Sequence, residues 1–217
     1  KAAVAIIPRK AFITELPEFA DISGRLDPNG NPYDSFDIRG AGGIPIQPVT
    51  ATSEENFFNL KDDKFYCESV LVHEFAHAIM NIGFSDSERN QWQLIYNIAK
   101  PKNLFPGAFA MTNSHEYWAE LSTSFFSVNC EINTAEYIKR KDLKAFKFLQ
   151  SVYGDPVSLP RYKSPVDWST NLKDLFSALS TSQRKEIQDN LKKQGLYLSS
   201  IDGLWGRGTF TAIVEFS

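Results

Sequence analysis

Several things are scarce in this 217-residue chain, and each shortage narrows what it can be. It has two cysteines, Cys67 and Cys130. Their separation fits no zinc knuckle. It allows one disulfide in an oxidising compartment, or two buried thiols. No apolar run approaches the ~18 residues of a membrane span. No signal-peptide pattern is visible; the chain opens directly into Ala2-Ala3-Val4-Ala5-Ile6-Ile7, as a trimmed mature chain would. Excess charge of one sign is also missing. A formal net charge of -3 gives no footprint for nucleic acid or for an anionic membrane. Neither internal repeats nor low-complexity tracts occur. Glycine is concentrated in Arg39-Gly40-Ala41-Gly42-Gly43, which lacks the spacing and the following helix of a phosphate-binding loop. That stretch reads as a flexible or close-packed loop.

Apolar residues are plentiful. With 42% hydrophobic content, the chain can build one domain of ordinary size plus a small one. Residues 2–7 and 11–16 read as short strands. Asp27 to Pro32 is a turn cluster, and Ile44–Thr50 reads as an edge strand blunted by Pro45 and Pro48. A helix is expected over 65–82, ending at Gly83. Others are expected over 87–99, stopping before Pro101, and from Thr112 or Asn113 to about Val128. Thr134 is a good N-cap for a helix or helix pair running to Val152 and closed by Gly154. Residues 155–167, with Pro156, Pro160 and Pro165, read as a linker or wrapping segment. Helical segments follow at 171–179 and 182–194, and a short last helix runs to Glu215. The expected fold class is α+β, divided into 1–154, a linker at 155–170, and a small three-helix module at 171–217.

The expected helix over 65–82 carries the chemistry. Val70-Leu71-Val72-His73-Glu74-Phe75-Ala76-His77-Ala78-Ile79-Met80 contains H-E-x-x-H in an apolar run. Helical positions four apart share a face, so His73 and His77 can aim two imidazoles at one point. Glu74 is rotated by about 100° and can reach a metal-bound water without ligating the metal. The bland alternative is a pair of hydrogen-bonded core histidines.

A catalytic zinc takes three protein ligands and one water. The extended H-E-x-x-H-x-x-G-x-x-H pattern fails, because Met80 and Gly83 stand at its Gly and final His. Thr112-Asn113-Ser114-His115-Glu116-Tyr117-Trp118-Ala119-Glu120 is the candidate source of the third ligand. Glu116 and Glu120 lie four apart among aromatics, where two carboxylates repel and desolvate unless a cation meets them. Glu116 is assigned as the ligand, and Glu120 as acceptor of a ligating imidazole's outer N–H. Two other readings stay open: Glu116 folding back as the third residue of an Asn113 capping box, and His115 as the ligand.

This pair of helices resembles the gluzincin zinc peptidases. The segment Thr112-Asn113-x-x-Glu116-Tyr117-Trp118-Ala119-Glu120 is similar to that of the anthrax-lethal-factor-like peptidases and related secreted proteins. The resemblance covers roughly 54–150. It implies a zincin-like fold with a small mixed sheet and active-site helices, and one zinc ion per chain. It also implies His73, His77 and Glu116 as ligands, Glu74 as general base and Glu120 as support. Glu54-Glu55-Asn56 and Glu68-Ser69 also look familiar, without an assignable role. The family has a Tyr seven residues before the ligand Glu, where its hydroxyl stabilises the oxyanion. Here that position is Phe109: either another group such as Tyr117, Tyr96 or Arg39 substitutes, or the enzyme is weaker, or it is not a peptidase. The tail, from Ile187-Gln188 through Asp202-Gly203-Leu204-Trp205-Gly206-x-x-Thr209, is similar to a small helical peptidoglycan-binding domain. There Asp202-Gly203 would make the turn, Trp205 would pack and Thr209 would cap the last helix.

These resemblances imply a secreted zinc endopeptidase acting on peptides or proteins. The other expectations are a zinc-bearing but inactive domain that binds cell wall or a partner, and a hydrolase of peptidoglycan cross-bridges. Neither nucleic acid nor a membrane span is expected.

Overall fold

A computed structural model describes residues 3–27, 30–60, 63–132, 134–159 and 168–216. It is an α+β protein with a three-stranded sheet and a larger helical part. Strand β1 (Ala3–Ile7) pairs parallel to β3 (Val49–Ser53), with Ala3 opposite Val49 and Ile7 opposite Ser53. Strand β2 (Gly40–Ala41) pairs antiparallel to β3 on its other side, giving the order β1-β3-β2. Ile7, Ile13, Phe19 and Ala51 form a small core under the sheet.

Two strand expectations are corrected. Over 11–16 the chain forms a 3-10 turn, Ile13–Glu15, followed by another at Pro17–Ile22. The Glu15 carboxylate accepts from the Phe12 N–H at 2.7 Å, and Pro17 starts the second turn, so the backbone closes locally instead of pairing. Ile44–Thr50 is not an edge strand. Ile44 and Gln47 exchange two backbone hydrogen bonds across a tight turn containing Pro45. The strand begins only at Val49 and is the central one. The Asp27–Pro32 turn is closed by the Asp27 N–H donating to the Asn31 carbonyl at 2.7 Å; its Pro28 and Asn29 lie outside the described residues.

After the short helix α1 (Glu54–Phe57) comes α2 (Val70–Ala78), which starts later than expected. The chain from Phe65 to Glu68 is a turn. Asn56 Nδ2 donates to the Phe65 and Glu68 carbonyls, and Asn56 Oδ1 accepts from the Val70 N–H. Ser69 then caps the helix by accepting from the Val72 N–H. A π-helical turn, Ile79–Gly83, follows directly. Helix α3 (Asp86–Lys102) opens with a Ser85–Glu88 capping box and carries Pro101 in its last turn, one turn beyond the expected stop. Only the final turn lacks that N–H, and Asn103 in the left-handed conformation ends the helix there.

Helix α4 (Ser114–Phe125) is almost wholly buried. Trp118 Nε1 donates to the Ala76 carbonyl at 2.7 Å and Trp92 Nε1 to the Ser114 carbonyl at 2.8 Å. Those bonds fix α4 against α2 and α3 while the rings fill the main core with Tyr117, Phe84 and Phe148. Helices α5 (Ala135–Lys141) and α6 (Leu143–Tyr153) share Asp142, which ends the first and caps the second. Gly154 terminates α6 at a φ of 81°. The linker runs on through 155–159, where the Leu159 N–H donates to the Phe126 carbonyl. Its remainder, 160–167, lies outside the described residues.

Helices α7 (Trp168–Ala178), α8 (Thr181–Lys193) and α9 (Arg207–Phe216) enclose a separate small core around Leu191, Tyr197 and Ala212. Gln188 is fully buried and ties the loop to the helices. It donates to Asp202, the Leu204 carbonyl and Thr209, and accepts from the Gly203 N–H. Gly203 has a φ of 74°, which makes the turn glycine-specific. Thr209 does not cap α9. It sits inside the first turn, its hydroxyl donating to the Leu204 carbonyl and accepting from Gln188. Trp205 packs between Phe176 and Phe210. No helix among the described residues is long and apolar enough to cross a membrane.

Candidate metal centre

Helices α2 and α4 bring three ligand-type atoms together. His73 Nε2 and His77 Nε2 are 3.1 Å apart. Glu116 Oε2 lies 3.2 Å from the first and 3.5 Å from the second. Donor atoms about 2.0–2.2 Å from a tetrahedral zinc stand roughly 3.3–3.5 Å from one another, so the triangle has the size of a zinc site's protein face. Its chemistry fits as well. Glu116 Oε2 is buried and accepts no hydrogen bond among the described residues, an expensive state unless a cation meets it.

The capping alternative for Glu116 is resolved by the side chains. Asn113 caps α4 alone, accepting from the His115 and Glu116 N–H groups at 2.9 Å each. The Glu116 carboxylate turns instead to the imidazoles. They hold it well below the usual carboxylate range, although burial alone would raise it. His115 is exposed and belongs to neither cluster of potential ligands.

His73 is engaged from both sides. Its Nδ1 lies 3.3 Å from Glu120 Oε1 and 3.7 Å from Glu68 Oε2, close but poorly aligned for a hydrogen bond. Glu68, His73 and Glu120 form the second cluster of potential ligands among the described residues, and it uses this other ring nitrogen. Burial would push His73 down. The Glu68 charge and the Glu116 and Glu120 carboxylates outweigh it and raise the imidazole well above its ordinary value. Glu120 is pushed up to about 8 by burial and by the Glu68 charge. Glu68 goes the other way, because the His73 charge overcomes its burial. Glu120 thus lies beside the outer nitrogen of His73 without the expected hydrogen bond, and Glu68 lies beside it. Asn129 holds the two carboxylates, its Nδ2 donating to Glu120 Oε2 at 2.7 Å and to Glu68 Oε2 at 3.3 Å.

Two covalent and backbone ties set this rear wall. Cys67 and Cys130 form a disulfide, and the Cys130 N–H donates to the Cys67 carbonyl. Glu68 and Asn129, their chain neighbours, form a β-bridge. Arg207, from α9, lines the same small cavity as Glu68, Glu120, Asn129 and Glu131. Its guanidinium lies 4.3 Å from the Phe65 ring centroid.

Glu74 leaves the His pair on the adjacent helical face and meets β2. A Cβ built on Gly40 would stand 2.6 Å from Glu74 Oε1, and one on Gly42 would stand 2.5 Å from His77 Cβ. The glycine-dense stretch is therefore the close-packed kind: it lets an edge strand lie directly on the motif helix. Burial raises Glu74 above its ordinary value, against the pull of His73 and His77.

The candidates for an oxyanion group are placed elsewhere. Tyr117 is fully buried on another face of α4 and donates its hydroxyl to Asp142 Oδ2 at 2.8 Å. Tyr96 donates to the Met111 carbonyl. Arg39 is buried in a two-point ion pair with Glu55, at 2.6 and 2.7 Å, and also donates to the Ala11 and Pro8 carbonyls. Phe109 is 44% exposed, in a 3-10 turn just before α4. Sequence reasoning left Glu55, Asn56, Glu68 and Ser69 without roles. They pair Arg39, anchor the turn before α2, back His73 and cap α2. The chain matches no protein-family model and no curated protein.

Proposed function

We propose that the chain is a zinc-dependent endopeptidase with a zincin-like catalytic domain. The observation that carries this reading is the buried, unbonded Glu116 Oε2 facing two imidazole Nε2 atoms. His73, His77 and Glu116 would hold one zinc ion. Bound there, zinc supplies Lewis acidity toward a peptide carbonyl and lowers the pKa of water. Glu74 takes the proton of the attacking water on its carboxylate and delivers it to the leaving amine. Strand β2 ends the sheet beside Glu74, so its outer edge can pair with an extended peptide. The Cys67–Cys130 disulfide supports an extracellular setting.

Purified protein should carry one zinc per chain, and Glu74→Gln should abolish cleavage with zinc retained. Wild type without zinc sinks the proposal.

A second reading is favoured by one observation. The hydroxyls of Tyr117 and Tyr96 and the guanidinium of Arg39 are committed elsewhere, and Phe109 has no hydroxyl. Loss of one oxyanion donor costs on the order of 10²–10³ in rate. The domain is then a weak or inactive zinc protein that works through residues 171–217, binding cell wall or a partner. Retention on insoluble peptidoglycan without cleavage of a peptide library would favour it. Release of muropeptides would instead indicate a cross-bridge hydrolase.

A further inference from the structure

Asn129 has two jobs, and they can be separated. It is fully buried just beyond α4. Its Oδ1 accepts from the Glu131 N–H at 2.8 Å and the Ile132 N–H at 3.2 Å, which closes a turn. A turn of that kind needs only a short side-chain acceptor, and Ser or Asp would serve. Its Nδ2 does something those residues cannot. It offers two hydrogens to three acceptors: Glu120 Oε2 at 2.7 Å, Thr123 Oγ1 at 2.9 Å and Glu68 Oε2 at 3.3 Å. Two buried carboxyl groups side by side disfavour charge on both, and a shared amide donor holds their Oε2 atoms in one direction. With Oε2 held by Asn129, Glu120 keeps Oε1 3.3 Å from His73 Nδ1, an ion-pair contact without hydrogen-bond alignment.

We infer that Asn129 is a positioning residue of the metal centre: its amide holds Glu120 beside Glu68, and the pair fixes the His73 ring with Nε2 aimed at the ion. This rests on the zinc reading proposed above. Outer partners of ligating histidines set metal affinity as well as geometry, typically by 10–100-fold. The amide is one step further out, so an effect near the lower end of that range is expected.

The test is the zinc dissociation constant, measured by competition with a chromophoric chelator. Wild type, Asn129→Ser, Asn129→Ala and Phe19→Ala are compared well below their unfolding midpoints. Ser keeps an oxygen for the turn and loses the amide; Ala loses both. Phe19→Ala destabilises the chain within the small core under the sheet. Both Asn129 variants should bind zinc about tenfold more weakly, and Phe19→Ala should match wild type. Wild-type affinity in Asn129→Ser overturns the inference, because the turn is then all that Asn129 provides. Equal weakening in Phe19→Ala also overturns it, since general destabilisation would then suffice. Wild type that binds no zinc defeats the metal reading itself, a result that no outcome in the variants can mimic. A wild-type measurement stands independently of whether the variants fold. In zinc-loaded protein the Asn129 side-chain NH₂ should show slow solvent exchange by NMR, and rapid exchange overturns the assignment.

Discussion

The disulfide behind the candidate site makes a quantitative prediction. Cys67 and Cys130 are 63 positions apart, and the loop they close contains α2, α3 and α4 whole. Their Cα atoms are 5.3 Å apart, an ordinary spacing for a bridge. Closing a loop of that length removes about 14 cal/mol/K from the unfolded chain, or about 4 kcal/mol at room temperature. The double variant Cys67→Ala/Cys130→Ala should lose that amount without burying new hydroxyls. In a chain of this size it corresponds to a fall of roughly 10 °C in melting temperature. The assay is urea unfolding with chelator present throughout, since bound zinc would add its own stabilisation to the folded state. Wild type in reductant should reproduce the variant's midpoint. A loss below about 1 kcal/mol would refute the loop-closure reasoning. It would mean that the Glu68–Asn129 bridge and the aromatic core hold these segments together even in the unfolded ensemble.

Other perturbations separate roles that the sequence blurs. Gly42→Ala should destabilise by about 1–3 kcal/mol and weaken zinc binding, because the new methyl meets His77 Cβ and the Glu74 carbonyl at 2.5 and 2.9 Å. Gly83→Ala meets nothing within 4 Å, and its urea midpoint should match or exceed wild type. Tyr117→Phe should lower stability by about 1–3 kcal/mol through the lost bond to Asp142, with any peptidase kcat unchanged. A fall in kcat with stability intact would restore Tyr117 as an oxyanion group. Asp63 is raised by burial to about 6, although Phe65 and Asn56 donate to it. Its folded pKa exceeds the unfolded value near 3.9, so the folded state binds the proton more tightly. Stability should then fall as pH rises from about 4 to about 6, and level off above. Urea midpoints across that range should lose this slope in Asp63→Asn.

Local geometry made half of the site legible. His73 with His77, and Glu116 with Glu120, are each four apart on a helix, so their common faces follow from the backbone alone. The same rule argues against Tyr117. One residue beyond Glu116 is about 100° around the helix, and in the structure that direction leads into the core. The rear wall had no such local signal. Glu68 and Asn129 are 61 residues apart and meet through a disulfide, a bridge and their own side chains. The sheet was misread for a related reason. Residues 11–16 and 44–50 have strand-like composition, but Glu15 in the first, Pro17 just after it and Pro45 in the second favour closing the backbone on itself. The glycines of 39–43 gave two readings in the sequence, and only the proximity of α2 chooses between them.

Charge balance behind His73 bears on what the C-terminal helices are. Glu68, Glu120 and Glu131 line one small cavity with Arg207, and the His73 imidazole lies 3.3 Å from Glu120 and 3.7 Å from Glu68. Arg207 belongs to α9, which is otherwise part of the separate α7–α9 unit. It rests on Phe65 and reaches the Lys64 carbonyl, while Phe210 from the same helix meets Tyr66 at 4.9 Å. A spacer domain would leave Phe65 and Tyr66 to water and the three carboxylates to a single cation. Here an aromatic contact and a counter-charge cover the turn that leads into the motif helix. The α7–α9 unit is therefore part of the wall behind the candidate metal centre, whatever else its outer surface binds.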